Sequence, residues 1–306
     1  MIRPRNEHTI AAECEITGRG YWSGRAVRVR FRPNIAGSGI RFVRTDLNGS
    51  PSCQANTQHS SGLSMRTNLD NGSASFQMVE HVMSALYSLE IDNCYVETDA
   101  EELPGLDGSS GAYVEALQAV GMVMQAAARK RFIVDRTLRV GTPEAWVEVS
   151  PSTRGCASFE YRLDYGISSP IQEQVSTHLL TPSNYCREIA WARTFVTAEQ
   201  ADRLRVSGVG THVTNQDLVV FDSNGHAIDN PLRFENECAR HKTLDLIGDM
   251  AMAGVELVGK FVSFRGGHQL NSELAGLLAE FAACSHMAAG PSSQSAPPLA
   301  LRPRAA

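Results

Sequence analysis

One order of local patterns occurs twice along this chain. Strand-like runs ("HTIAAECEITG", "RAVRVRFRP", "GIRFVRTDL") precede a segment of helical period, "FQMVEHVMSALYSLEI". The strand "NCYVETDA" and a second helix, "DGSSGAYVEALQAVGM", follow. The second half repeats the order. It has "KRFIVDRTLRV", "AWVEVSP" and "CASFEYRLDY", then the helix "FENECARHKTLDLIGDMAMAG", the strand "LVGKFVSFR" and a last helix, "NSELAGLLAEFAACSH". A recurring unit of this size constrains the fold more than any single motif, since both copies have the same faces to bury. The expectation is an α+β fold of two duplicated domains, residues 1–127 and 131–286, joined near 127–131. A Pro/Ala/Ser-rich end, 287–306, reads as a disordered tail.

Within this plan the strand signals are those of half-buried antiparallel sheet. Val27, Val29 and Phe31 face one way while Arg28, Arg30 and Arg32 face the other. Residues 48–75 form a polar stretch rich in Asn, Ser and Gly. Before "GAYVEALQAV", Asp107, Ser109 or Ser110 can satisfy the first free amides of a helix.

Composition narrows the function classes. A chain of 306 residues, 42% hydrophobic and 20% charged, is of soluble globular type, long enough for a sizeable core. A net charge of -5 supplies no basic face for nucleic acid. The seven cysteines are odd in number and lack any CxxC pair, so reduced thiols are expected, with neither a disulfide framework nor a thiolate zinc site. The N-terminus lacks the apolar core of a signal peptide, and no run approaches the ~18 apolar residues of a membrane span. A cytoplasmic protein is expected.

The chemistry-bearing residues cluster in few places. In "RHKTLDLIGDM", His241, Asp245 and Asp249 fall at i, i+4 and i+8, within about 80° on a helical wheel. Leu244, Ile247, Met250 and Ala251 occupy much of the opposite arc. Such a stripe is ordinarily a solvated face, yet His and Asp one turn apart also suit a divalent metal such as zinc. Glu80-His81 lies on the helix of the first half that corresponds in order. Adjacent helical residues point about 100° apart, so His81 can bind a metal while Glu80 serves hydrolysis beside it; taken alone the pair reads more readily as a solvated Glu and a satisfied His. His268, in "RGGHQLNSEL", is expected on a loop between strand and helix, where it can enter a cleft or face solvent. Thr194 in "ARTFV" is a hydroxyl donor without distinguishing company. His8, His59, His178, His212, His226 and His286 read as structural or surface residues.

In this order and spacing, "VEHVMSAL", "EIDNCYVE", "ELPGLDGSSGAYV", "ARTF", "LRFENECARHKTLDLIGD" and "GGHQLNSEL" are highly specific. From about residue 8 to 285 the chain resembles the zinc-dependent UDP-3-O-acyl-N-acetylglucosamine deacetylases of lipid A biosynthesis. The resemblance implies two domains of helices layered against sheets with the active site between them, in a monomer that acts on an acylated UDP-amino sugar. It places zinc ligands at His81, His241 and Asp245, with a fourth position for water, and the general base at Glu80. His268 becomes the protonated imidazole facing the leaving amine, held by Asp249, and Thr194 the hydroxyl that helps bind the oxyanion. Lys242, Asp164 and Tyr165 fall where the family contacts the UDP-sugar, with Tyr165 in place of Phe. An acyl passage is expected in the second half, between the strand at 156–165 and "ARTF".

Several positions depart from the family pattern. Trp22 stands where a His belongs and Ala145 where a basic residue belongs. Gly166 begins "GISS" in place of His-Pro, and "GTHVTNQ" near 210 replaces a Gly-Gly-Ser loop. Arg265 replaces the lysine before the active-site histidine, keeping charge but not shape. These changes spare the metal centre and fall on recognition surfaces. Two alternatives follow: a paralogue that deacetylates another acylated amino sugar, or a non-catalytic sugar-nucleotide- or lipid-binding relative.

Overall fold

A computed structural model describes residues 5–63 and 65–288. The alternation in "RAVRVRFRP" forms a strand whose Val27, Val29 and Phe31 are buried while Arg28 and Arg30 face solvent. In chain order the first half carries β1 (Asn6–Ile10), β2 (Cys14–Arg19), β3 (Ala26–Pro33), β4 (Ile40–Arg44), β5 (Ser52–Gln54), β6 (Ser60–Gly62), β7 (Thr67–Asp70) and β8 (Ser75–Gln77). Then come α1 (Glu80–Ser88), β9 (Cys94–Thr98), α2 (Gly111–Val120) and β10 (Met122–Ala128). The second half carries β11 (Arg131–Ile133), β12 (Leu138–Gly141), β13 (Trp146–Ser150), β14 (Ser158–Leu163), β15 (Gln174–Leu179) and α3 (Pro182–Glu188). It continues with β16 (Phe195–Thr197), α4 (Ala198–Val206), β17 (Val219–Phe221), α5 (Glu237–Met250), β18 (Glu256–Val258), β19 (Lys260–Phe264) and α6 (His268–Ala288).

The fold is α+β, with the repeat visible in its topology. One five-stranded sheet runs β2-β3-β9-β4-β5 and the other β12-β13-β19-β14-β15. In each, the third and fourth strands are parallel and all other neighbours antiparallel. A parallel pair requires a crossover connection. α1 lies within that crossover in the first half and α5 in the second, and the two helices pack on each other. Gly248 makes the approach possible: a Cβ built there would stand 2.1 Å from the carbonyl oxygen of Glu80. The main core is continuous across the halves, joining Phe31, Phe42, Val82 and Leu86 with Leu244, Ile247, Phe261 and Leu274. A smaller cluster joins Tyr161 and Leu163 of β14 and Cys238 and Ala239 of α5 to Val219 and Phe221 of β17.

Several expected elements divide differently. "HTIAAECEITG" breaks at Ala11–Ala12, and β1 leaves the main sheet to pair with β10. "KRFIVDRTLRV" and "LVGKFVSFR" each split in two, and β11 pairs in parallel with β18. The polar stretch 48–75 contains short strands that build the sheet β6-β7-β8. At the start of α2 the Ser109 hydroxyl accepts from the Gly111 amide at 3.2 Å, while Asp107 holds Ser109 at 3.0 Å. α6 begins at His268 itself and runs to Ala288, two residues into the expected tail; 289–306 lie outside the described residues. All seven thiols are unpaired. Among the described residues no helix is long and apolar enough to cross a membrane.

Candidate metal centre and active site

The α5 stripe is not a solvated face. His241, Asp245 and Asp249 are 2%, 3% and 1% exposed, because α1 covers the helix on one side and β14, β15 and α6 pack around it. Burying two carboxylates and an imidazole is costly unless each finds a partner, so their company is informative. His81, also buried, enters from the second position of α1 and meets His241 edge to face at 5.1 Å between ring centroids. Ligand atoms of His81, His241 and Asp245 all lie within 4.8 Å of one another.

Two observations make this trio a fitting cation site. Asp245 Oδ1 lies 3.7 Å from His81 Nε2 and 3.5 Å from His241 Nε2, and it is buried with no hydrogen-bond partner among the described residues. A buried carboxylate oxygen left this way lacks the partner that such atoms ordinarily have. His241 also sets its own tautomer: Nδ1–H donates to the Ala192 carbonyl at 3.1 Å, which leaves the Nε2 lone pair directed at the trio. Burial, only partly opposed by Asp245, lowers its pKa to about 4, so the ring is neutral as a ligand must be. For Asp245 burial favours the protonated form, but Lys242, His241 and His268 outweigh it and hold the carboxyl well below its usual range. The other oxygen, Oδ2, accepts from Lys242 Nζ at 2.6 Å.

Around this trio stand two further titratable groups. Glu80 opens α1, and burial raises its carboxyl above the usual range against the pull of His268 and His81. One of its oxygens accepts the Thr67 backbone N–H at 3.0 Å. His268 is the first residue of α6, not a loop residue, and is buried. Its Nδ1 donates to Asp249 Oδ2 at 2.9 Å, and its Nε2 lies 3.8 Å from Asp245 Oδ2. Burial works against a charged imidazole there, but Asp249 and Asp245 outweigh it and push the pKa up to about 9. Beside the potential cation site the cavity therefore holds a buried carboxyl of raised pKa and an imidazole protonated at neutral pH, two groups of the kinds that hydrolysis can use.

A cavity of about 1000 Å³ opens onto Glu80, His81, His241, Lys242, Asp245 and His268. Thr194 lines it just before β16, its backbone amide held by the Gly108 carbonyl at 2.8 Å. Tyr165 lines it too, edge-on to Phe195 at 6.2 Å. Asp164 and Arg265 do not line it: they are spent on each other, Arg265 donating to Asp164 at 2.5 Å and holding its carboxyl below the usual range. Of the departing positions, Trp22 faces the cavity. Its amide is fixed by Glu102 at 2.7 Å and its ring is covered by the Arg66 guanidinium at 4.6 Å. The 210 loop closes on it, His212 Nε2 lying 2.9 Å from the Gly20 carbonyl. Ala145 sits in the β12–β13 turn, accepting from Thr142 at 2.8 Å.

Sequence reasoning missed Thr67 and Asn271, which hold Asp249 at 2.6 and 2.8 Å, and the buried Arg193–Glu237 pair that anchors the start of α5. Asn271 stands three residues after His268, a helical spacing that could have flagged it. Thr67, a threonine in a polar stretch, carried no signal.

Comparison with known proteins identifies the family. The family model of UDP-3-O-acyl N-acetylglycosamine deacetylases matches residues 7–280. Curated relatives named UDP-3-O-acyl-N-acetylglucosamine deacetylase from Brucella ovis, Brucella canis and Brucella suis are each 36% identical over 271 residues, covering 87% of this chain and 93% of the relative. With the match running through both halves and every element that carries the site, the chain belongs to the UDP-3-O-acyl N-acetylglycosamine deacetylase family.

Proposed function

We propose that this protein is a zinc-dependent amidohydrolase that removes the N-acetyl group of UDP-3-O-acyl-N-acetylglucosamine in lipid A biosynthesis, as a cytoplasmic monomer. The observation that carries the reading is the orphaned, buried Asp245 Oδ1 facing His81 and His241, in a cavity that Glu80 and His268 also line.

Zinc, held by His81, His241 and Asp245, would polarise a water and the acetyl carbonyl. Glu80, which lines the cavity beside His81 and whose carboxyl is raised by burial above its usual range, takes the proton of the attacking water. Thr194, which lines the cavity, donates its hydroxyl to the oxyanion as the carbonyl becomes tetrahedral. His268 carries a proton at neutral pH and gives it to the sugar nitrogen as the C–N bond breaks, leaving acetate and a free amine. Asp249 keeps the ring oriented from the far side. Lys242, on the cavity wall, meets the anionic part of the substrate as a point charge. Tyr165 offers an aromatic face to the nucleotide, while Asp164 and Arg265 fix the backbone around it. The apolar wall residues Phe195, Leu204, Val209, Val220 and Phe221, carried by β16, α4, the loop after it and β17, suit the acyl chain, whereas no residue of β14 lines the cavity.

The test combines zinc analysis of purified protein with a deacetylation assay on this substrate. Stoichiometric zinc that disappears in Asp245→Ala, together with acetate release, is the expected result. Less than stoichiometric zinc in metal-replete protein would end the metalloenzyme reading. Bound zinc without turnover would favour a changed substrate or a binding role, as the departures around Trp22 and the 210 loop allow.

A further inference from the structure

We propose that Thr67 is a positioning residue, whose hydroxyl locks the Asp249 carboxylate and through it sets the His268 imidazole for proton donation. This rests on the roles proposed above for Asp249 and His268.

The case is geometric. Asp249 Oδ2 accepts two bonds, from His268 Nδ1 at 2.9 Å and Asn271 Nδ2 at 2.8 Å, and both donors stand on α6. Oδ1 accepts one, from Thr67 Oγ1 at 2.6 Å. The terminal torsion of a carboxylate is soft, so a group held by one oxygen alone can swing about that oxygen. Thr67 holds the other oxygen from a different element, β7, and its 2.6 Å bond is of the short kind. The same hydroxyl lies 3.2 Å from His268 Nδ1, so it borders the imidazole as well as the carboxylate.

Thr67 is itself immobilised. It is 1% exposed; its amide donates to Glu80 and its carbonyl accepts from Val79 at 3.1 Å, which ties β7 to the start of α1. β6, its hairpin partner, lies against the start of α6, where a Cβ on Gly62 would stand 2.0 Å from the His268 carbonyl oxygen. The first half therefore reaches across and completes the acid apparatus of the second. A hydroxyl committed to Asp249 has no proton to give elsewhere, so Thr67 acts through Asp249 and not on substrate.

The test uses zinc-loaded full-length enzyme with Thr67→Val, Thr67→Ala and Thr67→Ser, beside wild type and Asp249→Asn. Val removes the hydroxyl at nearly constant shape, Ala guards against a folding failure of Val, and Ser restores the hydroxyl. The expected result for the hydroxyl-free variants is a kcat lower by about 10- to 100-fold with KM within about threefold and zinc content unchanged. Thr67→Ser is expected within about threefold of wild-type kcat. Hydroxyl-free enzyme with wild-type kcat, while Asp249→Asn is impaired, would overturn the inference alone. Ser no better than Val would also overturn it, because methyl packing and not the hydroxyl would then matter. Full activity in Asp249→Asn would overturn the underlying reading of the acid, and Thr67 with it.

Discussion

Gly248→Ala adds one methyl group at the place where α5 and α1 touch. The new Cβ would stand 2.1 Å from the Glu80 carbonyl oxygen, 2.9 Å from its carbonyl carbon and 3.1 Å from its Cα. Ordinary contact begins at 3.4 Å, and all three neighbours are backbone, so no side chain can rotate out of the way. The helices must separate by more than about 1 Å to accept it, a strain of the kind that costs about 1–3 kcal/mol in packed cores. The consequence for the site is larger than for the fold. Glu80 and His81 ride on α1 while His241 and Asp245 ride on α5. Metal sites tolerate deviations of only about 0.2 Å in ligand distance, and a misplacement near 1 Å costs about 100-fold in rate. The variant should fold, lose zinc on dialysis against a mild chelator and turn over about 100-fold more slowly. Zinc per protein by plasma mass spectrometry and acetate release under added zinc measure the two effects. Gly276→Ala is the control, since a Cβ there meets nothing within 4 Å on α6 and should be neutral or stabilising by up to about 1 kcal/mol. Wild-type zinc retention with turnover within about threefold in Gly248→Ala would refute the argument that this contact sets the metal geometry.

Three other outcomes are expected. Glu80→Ala should keep its zinc while kcat falls by about 100- to 10,000-fold; equal activity in both proteins would remove Glu80 from the role of base. His268 is raised from 6.5 to about 9 by Asp249 and Asp245 without metal, so its proton is present at neutral pH; bound zinc opposes that charge, and kcat should fall on the alkaline side at or below about 9. The same shift stabilises the fold fully below about 6.5, and that contribution disappears through about pH 9. Asp249→Asn removes a cause of the shift and should move the alkaline limb of the pH–kcat profile downward; an unmoved limb would mean another group titrates. Arg193 and Glu237 are paired at 2.7 Å and are 3% and 1% exposed. Glu237→Ala strands a buried guanidinium and should cost about 3–5 kcal/mol in urea denaturation, whereas a loss below about 1 kcal/mol would show that the pair relaxes to water.

What could be read from the residues alone was what depends on local period. His241, Asp245 and Asp249 share a face because a helix puts them there, and the alternation of Val27, Val29 and Phe31 fixes which side of β3 is buried. The recurrence of strands and helices was visible for the same reason, and the two sheets do share one strand order. Contacts between distant segments were not legible. Thr67 reaches Asp249 across 182 residues of sequence, and only the register of the β6–β7 hairpin brings it there. Strands of three residues, such as β5, β6 and β8, are too short to show a period, so 48–75 reads as a polar connection. β10 escapes notice for another reason: it is exposed along much of its length, and pairing with β1 decides its conformation more than its side chains do. Its place between a strand and a helical run makes His268 read as a loop residue, yet α6 starts on it.

The seam between the halves has a consequence for how the protein can be taken apart. A cut at Arg129–Lys130 would leave Glu80, His81 and Thr67 on one fragment and His241, Asp245, Asp249 and His268 on the other. Neither fragment would own a full ligand set, and each would expose the helix that the other covers. Separately expressed fragments would therefore form a complementation pair in which zinc capture reports reassembly, and the ion would serve as the rivet that makes two copies of one topology inseparable.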